Sequence, residues 1–157
     1  MYKIADTMEV LNKTMKDNDY SFDIYFRMAV IEGYMQSDDK IWELYSKMQR
    51  TRCSMIKEIP LEMIEHKNEF ISLINDIKEN GYNLDYPILV NKDGLIIDGA
   101  HRMACAVYFG IPRISIYTND EFFDFIPADY STDWFIANGL EQCIELGNIQ
   151  KRKIRSL

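Results

Sequence analysis

Three residues able to do chemistry, Asp98, His101 and Arg102, fall within five positions of one another in the segment LIIDGAHRMACAVYFGI, residues 95–111. Gly99, between them, permits a sharp bend and the close approach of a ligand. A helix beginning at Ala100 has first N–H groups without partners inside the helix, and its dipole adds partial positive charge there. Those amides, the Arg102 guanidinium and the His101 imidazole together make a site for an anion, phosphate above all. The carboxylate of Asp98 is out of place in a simple anion site. Phosphoryl transfer calls for one, to share Mg²⁺ with the phosphates or to orient a hydroxyl. The same residues also have a plain structural reading. In it, Asp98 caps the helix, His101 bonds a carbonyl, and Arg102 pairs with one of the 25 acidic residues.

The elements that must position this turn are legible on either side of it. YPILV reads as a strand, NKDG as a tight turn with Asp93-Gly94 at its tip, and LIID as a second strand. The spacing then predicts a helix from Ala100 to Phe109, closed by Gly110 and Pro112, and RISIY alternates as a third strand. The small residues Ala104, Cys105 and Ala106 let that helix lie close on the sheet. Upstream, a helix is expected to begin near Pro60, and Phe70, Leu73, Ile74 and Ile77 form an apolar face that stops at Asn80-Gly81.

The flanks read as helical. A helix is expected over Thr7 to Lys16, with Val10, Leu11 and Met15 inward. Ile24, Met28, Ile31 and Met35 recur at helical spacing and predict an amphipathic helix. Ser37 or Asp38 is placed to cap the next one, with Ile41, Trp42, Tyr45 and Met48 on its inner face. After the core, Ser131 or Thr132 caps a helix carrying Trp134, Phe135 and Leu140, and a further run holds Cys143, Ile144 and Leu146. The expected whole is an α+β (mixed α/β) fold in one domain, 1–157. It divides into a helical flank over 1–56, a core with a small sheet over 57–125 and a second helical flank over 126–157.

Composition narrows the classes. Apolar residues make up 47% and the net charge is −7, which fits a packed domain and weighs against a duplex DNA binder. The basic clusters KMQRTR, 47–52, and KRKIR, 151–155, do not offset the acidic whole, although Arg50 and Arg52 are candidates to support a phosphate site. No apolar run is long enough to span a bilayer, and MYKIADTMEV lacks the pattern of a signal peptide. The three cysteines, Cys53, Cys105 and Cys143, match no metal or disulfide spacing and read as free thiols of a cytoplasmic protein.

The stretch YPILVNKDGLIIDGAHRMACAVYFGIPRISI, Tyr86 to Ile116, resembles the ParB/sulfiredoxin-like superfamily. The likeness rests on its PI, V, IIDG and HR positions and the following A and G. EIPLEMIE and FISLINDIKENGYN are similar to the family's lead-in, so the resemblance covers roughly Lys57 to Tyr117. It implies a small sheet with packed helices and a nucleotide at the turn. Sulfiredoxins carry a catalytic cysteine just before the His-Arg pair. Ala100 stands there in this chain, and Cys105 lies a helical turn further on, so repair of a sulfinate is not implied. ParB partition proteins bind CTP and add a helix-turn-helix domain, which this sequence does not show. The motif is closest to the free serine kinase branch.

Carried over, that resemblance has Gly99, Ala100, His101, Arg102 and Met103 holding nucleotide phosphates. Asp98 acts as a Mg²⁺ partner or orients the acceptor, with His101 beside it. An upstream glutamate serves as base: Glu58, Glu62 or Glu65, with Glu58 preferred because it abuts the Pro60 segment. Each of the three also reads as an exposed helix carboxylate, and His66 as a surface residue. The expected function is a phosphotransferase acting on a small hydroxyl compound such as an amino acid, sugar or polyol. It would use ATP or ADP, with CTP as the alternative, and Mg²⁺. Tyr25, Trp42, Tyr45 and Trp134 are candidate walls of the acceptor pocket. Two other readings stand beside it: a CTP- or ATP-binding regulatory module without catalysis, and a ParB-like nuclease.

Overall fold

The structure, a computed structural model, describes residues 1–16, 18–53 and 66–155. The expected β-hairpin is present. Strand β2 (Ile88–Val90) turns through Asn91–Gly94 into β3 (Ile96–Asp98), antiparallel to it. The Asn91 side chain organises the turn: its Oδ1 accepts from the amides of Asp93 and Leu95 at 2.9 and 3.0 Å. The chain then crosses through a helix, Ala100–Tyr108, and returns as β4 (Arg113–Tyr117), parallel to β2. The first residues complete the sheet, which the sequence pattern did not announce. Tyr2–Asp6 forms β1, antiparallel to β4, giving the order β1-β4-β2-β3. Tyr2 and Ile4 remain largely exposed, so β1 exists through its pairing with β4 rather than through an apolar face.

Seven helices surround this sheet among the described residues: α1 (Thr7–Thr14), α2 (Asp23–Met35), α3 (Ile41–Arg52), α4 (Lys67–Asn80), α5 (Ala100–Tyr108), α6 (Thr132–Ala137) and α7 (Glu141–Arg155). The fold is therefore α+β with a mixed sheet. Helix α1 starts where expected, at an Asp6 side chain that accepts from the Glu9 amide at 3.1 Å. It ends two residues earlier than the sequence suggested. Helix α3 is not side-chain capped by Ser37 or Asp38. Asp38 instead closes a local turn by accepting from the Lys40 amide. Ser131 does occupy the N-cap of α6, without a side-chain capping bond.

The main departure is α2. Its apolar stripe predicts an amphipathic helix, yet Ile24, Tyr25, Phe26, Arg27, Met28, Ala29, Val30 and Ile31 are all buried. The helix runs through the centre of the molecule, packed on α3, α5 and α7. Burial of residues such as Phe26, Ile24 and Ile31 contributes about 1.5–3 kcal/mol each against an unfolded reference. Close approach of α7 requires Gly147, where a Cβ would lie 2.7 Å from the Phe22 ring. Tyr25, Trp42 and Tyr45 are core residues of this helical layer rather than walls of a pocket. No helix of the described residues is long and apolar enough to cross a membrane.

Candidate functional site

The strand-to-helix turn is built on Gly99, which has φ 110° and ψ 20°. Few residues other than glycine adopt that conformation. The position is also closed sterically, because a Cβ there would meet Ile88 Cγ1 of β2 at 3.1 Å. Met103 N donates to Gly99 O at 2.8 Å, whereas the amides of Ala100, His101 and Arg102 have no backbone partner among the described residues. This corrects the expectation for Met103. Its amide is already committed, and its side chain is fully buried, so it has nothing left to offer a phosphate.

The residues that carry these amides line a cleft of about 510 Å³. Its walls are Ile97 to Arg102 on one side, Phe70 and Leu73 of α4 on another, and Arg27, Gln49 and Arg52 from α2 and α3 at its base. Asp98 stands exposed at this cleft, and its side chain makes no hydrogen bond or ion pair among the described residues. It does not cap α5, whose N-cap is Gly99. An unpartnered carboxylate beside free amides is suited to a cation shared with an anion.

His101 engages a core residue through one of its ring nitrogens. The ring turns inward, with Nε2 2.7 Å from the Tyr45 hydroxyl and its edge against Phe70, centroids 4.6 Å apart. Burial, reinforced by the positive charges of Arg27, Arg52 and His66, holds it well below the ordinary histidine value. A neutral imidazole results at neutral pH. His101 remains among the residues that line the cleft.

Arg102 is one of the residues lining the cleft, and its guanidinium lies 5.3 Å over the ring of Tyr86, which does not line the cleft, a cation–π contact. It pairs with no acidic residue among those described. His66 and Glu69 are exposed residues on the same cleft, at the start of α4. Glu58, Glu62 and Glu65 lie outside the described residues. Trp134 packs on Tyr130 and Phe135, away from the cleft. Cys105 faces the core, where burial pushes its thiol up to about 12, so it is no nucleophile.

Sequence reasoning missed Arg27. It is fully buried in α2, paired with Asp23 one turn earlier, and donates through Nη2 to Gln49 Oε1 at 3.0 Å. The signal was present: an acidic and a basic residue four apart inside the otherwise apolar DIYFRMAVI. Buried charges of this kind require partners. Arg52, one of two arginines singled out in KMQRTR, does reach the cleft, whereas Arg50 is exposed and does not line it.

A second groove, about 610 Å³, lies between β1, α1 and the β2–β3 turn and contains none of the expected site residues. Among the described residues no cluster of three or more His, Cys, Asp or Glu gathers to hold a metal ion. Comparison with family models, curated proteins and solved structures finds no match to this chain.

Proposed function

We propose that this protein is a nucleotide-dependent phosphotransferase acting on a small hydroxyl compound in the cytoplasm, with ATP or ADP as donor. The observation that carries the proposal is the row of unpartnered amides at Ala100, His101 and Arg102, residues that line a cleft together with the unpartnered carboxylate of Asp98. In this reading the amides and Arg102 hold phosphate oxygens, with the α5 dipole adding to the attraction. Asp98 fits Mg²⁺, because that ion is commonly held by one or two carboxylates together with substrate phosphates rather than by a cage of side chains. Mg²⁺ bound there would neutralise charge on the phosphates. In this reading Asp98 also orients the acceptor hydroxyl. Tyr45 fixes the His101 ring, so the α5 turn is held rigid beneath the phosphates. The three thiols are free in the structure, in keeping with a reducing compartment.

A binding module without catalysis is the second reading. It is favoured by the small number of carboxylates on the described cleft, Asp98 and Glu69 alone. One experiment separates the two. The protein is incubated with Mg²⁺, ATP or ADP and a panel of hydroxy amino acids, sugars and polyols, and phosphorylated products are sought by mass spectrometry. Asp98→Ala is expected to abolish turnover and leave nucleotide affinity within a fewfold of wild type. Nucleotide binding with no product from any acceptor supports the module. Absence of both binding and turnover refutes the proposal.

A further inference from the structure

The base of the cleft carries charge that the α5 turn does not need. Arg27, fully buried, and Arg52 both donate to one acceptor, Gln49 Oε1, at 3.0 and 2.9 Å. Sharing that oxygen holds the two guanidiniums side by side. Among the described residues one buried carboxylate, Asp23, attracts both of them, while they repel each other. The Nε atoms of Arg27 and Arg52 are buried without a hydrogen-bond partner. The Tyr130 ring lies 4.5 Å from the Arg52 Cζ, and the two side chains are also hydrogen-bonded. The described carboxylates that line the cleft, Asp98 and Glu69, are both exposed. Among the described residues Arg27 is paired with Asp23, and Arg52 is attracted by the same carboxylate and hydrogen-bonded to Tyr130. Two guanidiniums therefore share one buried carboxylate at the base of the cleft, and charge held there favours a further anion.

We infer that Arg52, backed by Arg27 and Gln49, forms a second anion seat across the cleft from the α5 amides, so that the ligand spans both seats with a chain of at least two linked phosphates. The inference rests on the α5 turn being the first phosphate seat. It assigns the N-terminal helices α2 and α3 a direct part in choosing a diphosphate or triphosphate over a single phosphate. Arg suits the task because its planar fork matches phosphate oxygens.

The test is binding of inorganic phosphate, pyrophosphate and tripolyphosphate, followed by calorimetry, to wild type, Arg52→Ala and Arg52→Lys. Wild type is expected to prefer pyrophosphate and tripolyphosphate to phosphate. Arg52→Ala should lower that preference by about tenfold, the worth of one hydrogen bond to a charged group, while changing phosphate affinity itself by less than about threefold. Arg52→Lys keeps the charge and covers the case in which the alanine variant does not fold. It too should lose most of the preference, because the fork is gone. The inference is overturned if wild type shows no preference, if Arg52→Ala weakens all three ligands equally, or if Arg52→Lys retains the full preference. No acceptor or turnover enters these measurements. A failed kinase assay therefore leaves the second seat standing, and turnover with an unchanged preference in the variants removes the seat and leaves the phosphotransferase.

Discussion

Replacement of Gly99 by alanine probes the backbone on which the whole site depends. At φ 110° and ψ 20° any side chain is strained, at about 1–3 kcal/mol for a sparsely populated backbone region. The new Cβ would also sit 3.1, 3.3 and 3.4 Å from Cγ1, Cγ2 and Cβ of Ile88. Ile88 is fully buried in β2 and has little room to give, so crowding adds about 1 kcal/mol or more. The sum is about 2–4 kcal/mol, a fall in melting temperature on the order of 10 °C for a chain of this length. Urea unfolding followed by circular dichroism measures it, with the midpoint moving and the slope unchanged.

Gly110 supplies the control. It has φ 66°, and a Cβ added there would meet nothing within 4 Å, so Gly110→Ala carries strain alone and should cost about 1 kcal/mol. A double-mutant cycle with Ile88→Ala isolates the contact, because removing the Ile88 branches should recover part of the loss in Gly99→Ala. A Gly99→Ala protein that unfolds within about 1 °C of wild type, or no earlier than Gly110→Ala, would refute the geometry of the turn.

Two further outcomes follow from burial. The depressed His101 value makes stability pH-dependent. The unfolded chain binds a proton near pH 6.5, the ordinary histidine value, and the folded chain resists it. Stability is therefore full above that pH and falls as the solution is acidified below it, at no more than about 1.4 kcal/mol per pH unit. His101→Gln should flatten the dependence between about pH 6.5 and the onset of carboxylate protonation, and an unchanged profile would show that His101 is not buried as a neutral ring. Thiol reactivity gives the second outcome. Cys53 is partly exposed, whereas Cys105 and Cys143 are buried with their thiols pushed up to about 12. Iodoacetamide should modify Cys53 alone in the native protein and all three after unfolding, as read by intact mass.

Much of the sheet was legible because its signals are local. Asp93-Gly94 between two apolar runs specifies a hairpin, and the stretch from Ala100 to Gly110 has the length, spacing and stop of a helix. The Asp98–Arg102 cluster was legible for the same reason, since a glycine between a strand and a helix bares amides whatever else surrounds it. The orientation of His101 was not, because it depends on Tyr45 and Phe70, 56 and 31 positions away in sequence. The burial of α2 was also hidden. A stripe of apolar residues reports that one face is covered, and whether the other faces are covered too depends on α5 and α7 arriving from later in the chain.

By itself, then, the chain determined the short-range features: which residues make helices, where the hairpin turns, and that an acidic and two basic groups flank one bend. Tertiary structure alone decided which of them meet. It drew Tyr2–Asp6 onto β4, turned the His101 ring into the core, and brought Arg27 and Arg52 to the same Gln49 oxygen. The physical reason is range. Propensity and capping act over a few residues, whereas charge pairing and burial act through space between segments that the sequence keeps far apart.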